Sequence, residues 1–91
     1  MPYFIIERNF AEAITPSVQA AAGLNLINDE EDVQWLFSFL SVDQRKSYCL
    51  YEAPSEDAIR AAAARAGIPA DVIIEIGGRL MPTGLMASAA P

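Results

Sequence analysis

The pattern of apolar and polar positions predicts a strand and then a helix at the start of the chain. Residues 3–10 are mostly aromatic and β-branched, which is typical of a strand. Thr15 followed by Pro16 resembles a helix N-cap with proline at the first helical position, so we place the start of the first helix there. A helix C-terminus disfavours negative charge, so we expect the acidic run at residues 29–32 to lie in the following loop.

Two further strands follow, joined by a short polar turn. Residues 33–42 are strongly apolar, with large side chains at successive positions, so both faces of this strand need cover. Residues 47–53 form the third strand, and the short turn over residues 43–46 makes the two strands antiparallel. Strict alternation divides the large side chains of the second strand between its faces, with Val33, Trp35, Phe37 and Phe39 on one face and Leu36 and Leu40 on the other.

A second helix and a fourth strand complete the pattern. Pro54 ends the third strand, and Ser55 is the expected N-cap of the helix. Gly67 stands just after the predicted helix, with Pro69 beyond it, and this pair is a strong stop signal. Residues 71–76, rich in Val and Ile, then form the fourth strand.

This order of elements predicts an α+β ferredoxin-like plait (βαββαβ). Two split βαβ units with right-handed crossovers give a four-stranded antiparallel sheet with both helices on one face. The other face keeps apolar side chains, and a large exposed apolar patch marks a subunit interface or a ligand pocket. We therefore expect a homodimer whose open sheet faces meet and enclose a small-molecule ligand. Residues 1–78 form the domain, and residues 79–91 are a C-terminal tail, flexible or packed on a partner subunit.

Composition restricts the functions that such a domain can have. The chain has 91 residues and carries 12 acidic against 6 basic residues, and the net charge of −6 disfavours nucleic acid and anionic membranes as partners. It contains no histidine, which excludes imidazole-based triads and zinc sites. The N-terminus becomes charged after six residues, unlike a secretion signal, and the single cysteine, Cys49, suits a reducing compartment. We expect a cytoplasmic protein.

Five segments of the chain together resemble a family of small bacterial proteins of unknown function that includes a nickel-responsive protein. The segments are IIERNF (5–10), TP (15–16), VQW (33–35), RKSYCLYEAPS (45–55) and AGIP (66–69). The resemblance extends over about residues 3–76 and implies a dimeric, ferredoxin-like fold. It also implies a non-enzymatic module that binds or senses a small ligand or a metal ion. Nickel is well served by imidazole ligands, and the chain has none, so we expect no metal site and no cofactor.

The candidate site residues are those that could face the open side of the sheet. We expect Glu7, Trp35, Phe37, Cys49 and Tyr51 to contact a ligand there. Side chains alternate along a strand, so Glu7 and its neighbour Arg8 point to opposite faces. The pattern leaves open which of these two shares a face with Cys49 and Tyr51.

A second hypothesis is a cofactor-free small enzyme, such as an oxygenase or isomerase of the dimeric ferredoxin-like barrel type. In that case Glu7 is the candidate base and Tyr51 the candidate proton donor, because burial on an apolar floor raises a carboxyl pKa toward neutrality. The simpler interpretation of the same carboxylates is a buried ion pair, joining Glu7 or Glu52 to Arg8, Arg45 or Lys46. A purely structural dimerisation unit is the third hypothesis.

Overall fold

Four strands form one antiparallel sheet, and both helices lie against the same face of it. A computed structural model describes all of residues 1–91. The elements are β1 (Tyr3–Asn9), α1 (Val18–Glu30), β2 (Gln34–Leu40), β3 (Lys46–Glu52), α2 (Glu56–Ala66) and β4 (Val72–Ile76). The strand order is β2-β3-β1-β4, with β1 antiparallel to both β3 and β4. This is the α+β arrangement of the ferredoxin-like plait, as predicted.

Strand β1 divides its side chains between a buried face and an open face. Phe4, Ile6 and Arg8 are buried, whereas the residues between them are only half-buried. In the β1–β3 register Phe4 lies opposite Tyr51 and Ile6 opposite Cys49, so the buried face continues across both strands. The side chains that fill the core on this face are Phe4, Ile6, Val33, Cys49, Tyr51, Ala53, Ile59 and Ala62.

Strand β2 does not follow the strict alternation that the sequence predicts. Its register against β3 shifts between Trp35 and Phe37, where an extra residue makes a β-bulge. After the bulge Ser38 pairs with Cys49, so Ser38 joins Trp35 on the buried face and Phe37 turns to the open face. The prediction that Trp35 and Phe37 share a face is therefore wrong, because a bulge adds one residue to a period of two.

Helix α1 begins and ends later than the sequence predicts. Ser17, not Thr15, is the N-cap, and its hydroxyl accepts a hydrogen bond from the Ala20 N–H at 3.0 Å. At the other end Asp29 and Glu30 belong to the helix rather than to the loop. Arg65 on α2 balances part of the negative charge at this helix end, because its guanidinium forms ion pairs with Glu30 and Glu31 at 3.2 Å each.

Helix α2 has the ends that the sequence predicts. The Ser55 hydroxyl accepts from the Ala58 N–H at 3.2 Å, and Gly67 adopts the left-handed conformation with φ of 69°. Its buried residues Ile59, Ala62 and Ala63 pack this helix onto the sheet. The small alanine side chains let the helix approach the sheet closely.

Residues after β4 form a separate hairpin where the sequence has no periodic pattern. Strand β5 (Arg79–Leu80) pairs antiparallel with β6 (Met86–Ala87), and Gly84 takes a positive φ of 86° in the turn. The apolar side chains of this hairpin are largely exposed, among them Leu80, Leu85 and Met86. Neither helix of the chain has the length and hydrophobicity of a membrane span.

Candidate functional site: a cavity between helix α1 and the sheet

A cavity of about 660 Å³ lies between α1 and the buried face of the sheet. Helix α1 contributes Ala20, Ala21 and Gly23 to its wall, positions where a packed helix would carry larger apolar side chains. Its large residues Val18 and Leu26 instead point into solvent. Leu24 and Ile27 of the same helix also line the cavity, but together with the small side chains they leave the space between helix and sheet unfilled.

Strand β2 closes one side of the cavity, and the bulge decides which of its residues do so. Trp35, Ser38 and Leu40 line the space, whereas Phe37 and Phe39 face away from it. The Trp35 indole N–H donates to the Ser38 hydroxyl at 2.8 Å. This bond satisfies the one polar atom of the indole, so the ring presents an apolar surface to the cavity.

Arg8 reaches the cavity from the centre of the sheet. Its side chain is buried, with 3% of the residue exposed. Its guanidinium donates to the Pro69 carbonyl at 2.6 Å and to the Tyr51 hydroxyl at 3.3 Å, and its central carbon lies 5.6 Å from the centre of the Tyr51 ring. The first bond ties β1 to the loop before β4, and the second holds Tyr51 in place.

No carboxylate of the chain neutralises Arg8. The four ion pairs of the structure are formed by Lys46, Arg60 and Arg65, the last in two of them, and none includes Arg8. Among the twenty residues that line the cavity, Arg8 is also the only charged one. A chain with a net charge of −6 thus has one positive group, and no negative group, at its cavity.

Two further titratable side chains, Tyr51 and Cys49, line the cavity. Burial raises the pKa of Tyr51 above its ordinary value of 10.0, and the charge of Arg8 acts in the opposite direction. Tyr51 is therefore a neutral hydroxyl at physiological pH. Cys49 is a free, buried thiol whose sulfur lies 3.6 Å from the Ser47 hydroxyl oxygen. The cavity wall holds no carboxylate and no lysine that could act as a base.

The structure separates the predicted ligand-binding residues into two groups. Trp35, Cys49 and Tyr51 line the cavity on the helix side of the sheet. Glu7 and Phe37 lie on the open face, since Glu7 pairs with Tyr48 and Phe37 with Leu50 in the register. The candidate base Glu7 and the candidate proton donor Tyr51 are thus on opposite faces of the sheet and cannot act on one substrate.

The open face carries one ion pair and several exposed apolar side chains. The Glu7 carboxylate lies 3.9 Å from the Lys46 amine in an ion pair that is partly exposed, rather than the buried pair considered from the sequence. The aromatic rings of Phe37 and Phe39 meet edge to face, with centroids 5.6 Å apart. The exposed apolar residues of this face are Phe37, Phe39, Tyr48, Val72 and Ile74.

Asn28 is the one buried side chain whose polar atoms have no partner. The residue is 2% exposed near the end of α1, and neither its amide nitrogen nor its carbonyl oxygen makes a hydrogen bond. It does not line the cavity. It nevertheless lies near the Tyr51 hydroxyl, where it opposes the effect of burial on the pKa of Tyr51.

The residues of this chain do not fit a nickel site. No three His, Cys, Asp or Glu side chains are grouped so that they could hold a metal ion. The chain has no imidazole, and its one thiol lies among apolar side chains. We therefore assign no metal-ligating role to any residue.

Sequence reasoning missed Arg8 as a site residue. The signal was present, because Arg8 follows Phe4 and Ile6 at intervals of two and must share their face. The cavity itself has a weaker signal, the run of Ala and Gly at residues 20–23 of α1. Small residues in a helix equally allow close packing, as they do in α2, so this run alone does not predict a void.

Comparison with known proteins gives a family. The model of the family described as "Nickel responsive protein SCO4226-like" matches residues 4–76. The crystal structure of SCO4226 from Streptomyces coelicolor A3(2) is similar, with 26% sequence identity and a TM-score of 0.73, over 85% of this chain and 98% of that chain. No curated protein matches the chain. The chain belongs to the nickel-responsive SCO4226-like protein family.

Proposed function

We propose that this protein is a non-enzymatic module that binds a small, largely apolar organic molecule in the cavity beneath α1. The observation that carries the proposal is the cavity itself, whose volume of about 660 Å³ is in the range of ligand pockets. Twelve of its twenty lining residues are hydrophobic, and Arg8 is the one charged residue among them. A packed domain of this size otherwise has few voids larger than a water molecule.

The cavity favours binding over acid–base catalysis. Catalysis of proton transfer needs a general base near the substrate, commonly a carboxylate, histidine or lysine. The cavity wall offers none of these, and Glu7 lies on the other face of the sheet. The family description names nickel, but the cavity wall offers one thiol with no imidazole or carboxylate beside it, and this lining favours an organic ligand. A buried free thiol also suits the reducing cytoplasm as the site of action.

We further propose that the open sheet face is covered by a second copy of the chain. Phe39 is 69% exposed and Ile74 is 54% exposed, and both side chains lie on this face of the sheet. A twofold axis would bring the same surface of each copy together, so every apolar side chain would find an apolar partner. Because each copy carries a net charge of −6, the dimer should become tighter as ionic strength rises.

A cavity-filling variant tests the binding site. Trp35 is the only tryptophan and lines the cavity, so its fluorescence reports occupancy during titration with decan-1-ol. Ala21→Phe places a ring at the cavity wall and should abolish the response. Ala22→Phe is the matched control, because Ala22 is exposed and does not line the cavity. Equal binding by both variants, or no binding by the natural protein, would contradict the proposal.

A charge placed on the open face tests the dimer. In sedimentation velocity the natural chain should have the mass of a dimer, and Phe39→Glu should have that of a monomer with unchanged circular dichroism. Leu26→Glu is the control, because Leu26 is similarly exposed, at 66%, but lies on α1. A monomeric natural chain would contradict this part of the proposal.

A further inference from the structure

We propose that the cavity selects molecules with one carboxylate on an apolar body, and that Arg8 is the residue that recognises the carboxylate. This inference rests on the proposed function and adds the chemical class of the ligand. It comes from a charge that the fold buries without neutralising. Three observations support it, namely the isolation of Arg8, the free donors around it and the composition of the cavity wall.

The isolation of Arg8 is unusual for a buried charge. Lysine, arginine and the acidic residues are almost never fully buried unless they are paired. Arg8 is 3% exposed and takes part in none of the ion pairs, while every other arginine or lysine is half-buried or exposed. Its partners, the Pro69 carbonyl and the Tyr51 hydroxyl, carry no net charge. The counter-ion that Arg8 lacks within the chain can come from a ligand in the cavity.

The hydrogen-bond donors around Arg8 suit a carboxylate. A guanidinium has five N–H donors, and the two protein bonds to Arg8 use two of them. The Tyr51 hydroxyl accepts from Arg8 and so keeps its own hydrogen free to donate. Ser47, which also lines the cavity, lies opposite Arg8 in the β1–β3 register and adds a second hydroxyl. The planar fork of an arginine matches the two oxygens of a carboxylate.

The rest of the wall limits the ligand to one negative charge and an apolar body. A phosphate monoester carries between one and a half and two negative charges at pH 7, about as many as two arginines would balance. Arg8 is the only cation of the wall, so a monocarboxylate matches its charge better. The remaining lining is dominated by apolar side chains such as Phe10, Leu24 and Ile27, which favour an alkyl chain or an aromatic ring.

The experiment compares decanoate with decan-1-ol, which share a chain length and differ in the charged group. Both are titrated into the natural protein at neutral pH, with Trp35 fluorescence and calorimetry as readouts. A hydrogen bond to a charged group corresponds to an affinity ratio of about 10 to 100, so decanoate should bind tighter by that factor. The same comparison with 4-phenylbutyrate and 4-phenylbutanol distinguishes aliphatic from aromatic acids as the favoured source.

Variants assign the preference to Arg8. Arg8→Met should lose the preference, so that decanoate and decan-1-ol bind with similar affinity. Arg60→Met is the control, because Arg60 is exposed on α2 and pairs with Glu56, and it should keep the full preference. Arg8→Lys retains the charge without the fork and should show a reduced preference. If Arg8→Met fails to fold, the natural protein and the lysine variant still decide the result.

The outcomes separate this inference from the proposed function. Equal affinity for decanoate and decan-1-ol in the natural protein would overturn the carboxylate assignment and leave the cavity as a binding site. A preference for decanoate that survives in Arg8→Met would overturn the role of Arg8. If the natural protein binds neither decanoate nor decan-1-ol, the proposed function is overturned as well.

Discussion

Two glycines at the helices of this protein should respond in opposite ways to the same substitution. Gly23 lies within α1 and Gly67 follows α2, and in both cases an added Cβ atom would meet nothing within 4 Å. The difference is in the backbone, since Gly67 has φ of 69° and Gly23 is helical. Gly23→Ala should therefore stabilise the fold, and Gly67→Ala should destabilise it.

The magnitudes follow from helix propensity and backbone strain. Alanine is favoured over glycine in a helix interior by about 1 kcal/mol, and the open space at Gly23 adds no steric cost. For a domain of this size the melting temperature should rise by about 4–8 °C. At Gly67 the left-handed conformation costs an L-residue about 1–2 kcal/mol, so the melting temperature should fall by a similar or larger amount.

Thermal and urea denaturation, followed by far-UV circular dichroism, measure both variants under identical conditions. The urea slope should stay unchanged, because neither substitution alters the surface that unfolding exposes. A lower melting temperature for Gly23→Ala would show that α1 is not helical at Gly23. A raised melting temperature for Gly67→Ala would show that the α2 terminus is not left-handed.

Three further changes have clear expected results in equilibrium unfolding. Asn28→Leu keeps the branching of the side chain, removes two buried polar atoms that make no hydrogen bond, and should raise the free energy of unfolding by about 1–3 kcal/mol; a loss of stability would show that the larger side chain does not fit or that the amide interacts with Tyr51. Arg65→Ala breaks two exposed ion pairs and should lower the free energy of unfolding only slightly, with an effect that salt diminishes; a large, salt-independent loss would contradict this. Burial raises the pKa of Tyr51, so the folded state holds that proton more tightly than the unfolded state. The resulting stabilisation is complete below pH 10 and declines as pH rises through the folded-state pKa, and Tyr51→Phe should show a shallower alkaline decline; equal declines would exclude this contribution.

The sequence predicted the fold well because its strongest signals are local. The Pro54–Ser55 pair ends a strand and starts a helix, and Gly67 ends that helix, all with chemistry confined to a few residues. The start of α1 was predicted two residues early, at Thr15, because Ser17 competes with it for the same role. Nothing in the local sequence decides which of these two hydroxyl residues, separated by Pro16, meets the free N–H groups.

The site depended on features that no local pattern encodes. The bulge after Trp35 exchanges the faces of the following residues, and it is set by pairing with β3 rather than by β2 alone. The acidic end of α1 was expected in a loop because negative charge is unfavourable at a helix C-terminus. The residue that compensates this charge, Arg65, lies on another helix and is not part of the local pattern. The gap beneath α1 likewise arises from the distance between helix and sheet, which no local pattern encodes. The predicted ligand residues were divided between two faces by strand alternation at Glu7 and by the bulge before Phe37.

The binding of an apolar molecule between α1 and the sheet is the central claim, and nuclear Overhauser contacts test it most directly. In the complex with decan-1-ol, the methylene protons should give cross-peaks to the Trp35 indole ring and the Ala21 methyl group. Cross-peaks to Phe37, Phe39 and Ile74 instead would place the ligand on the open face and contradict the account.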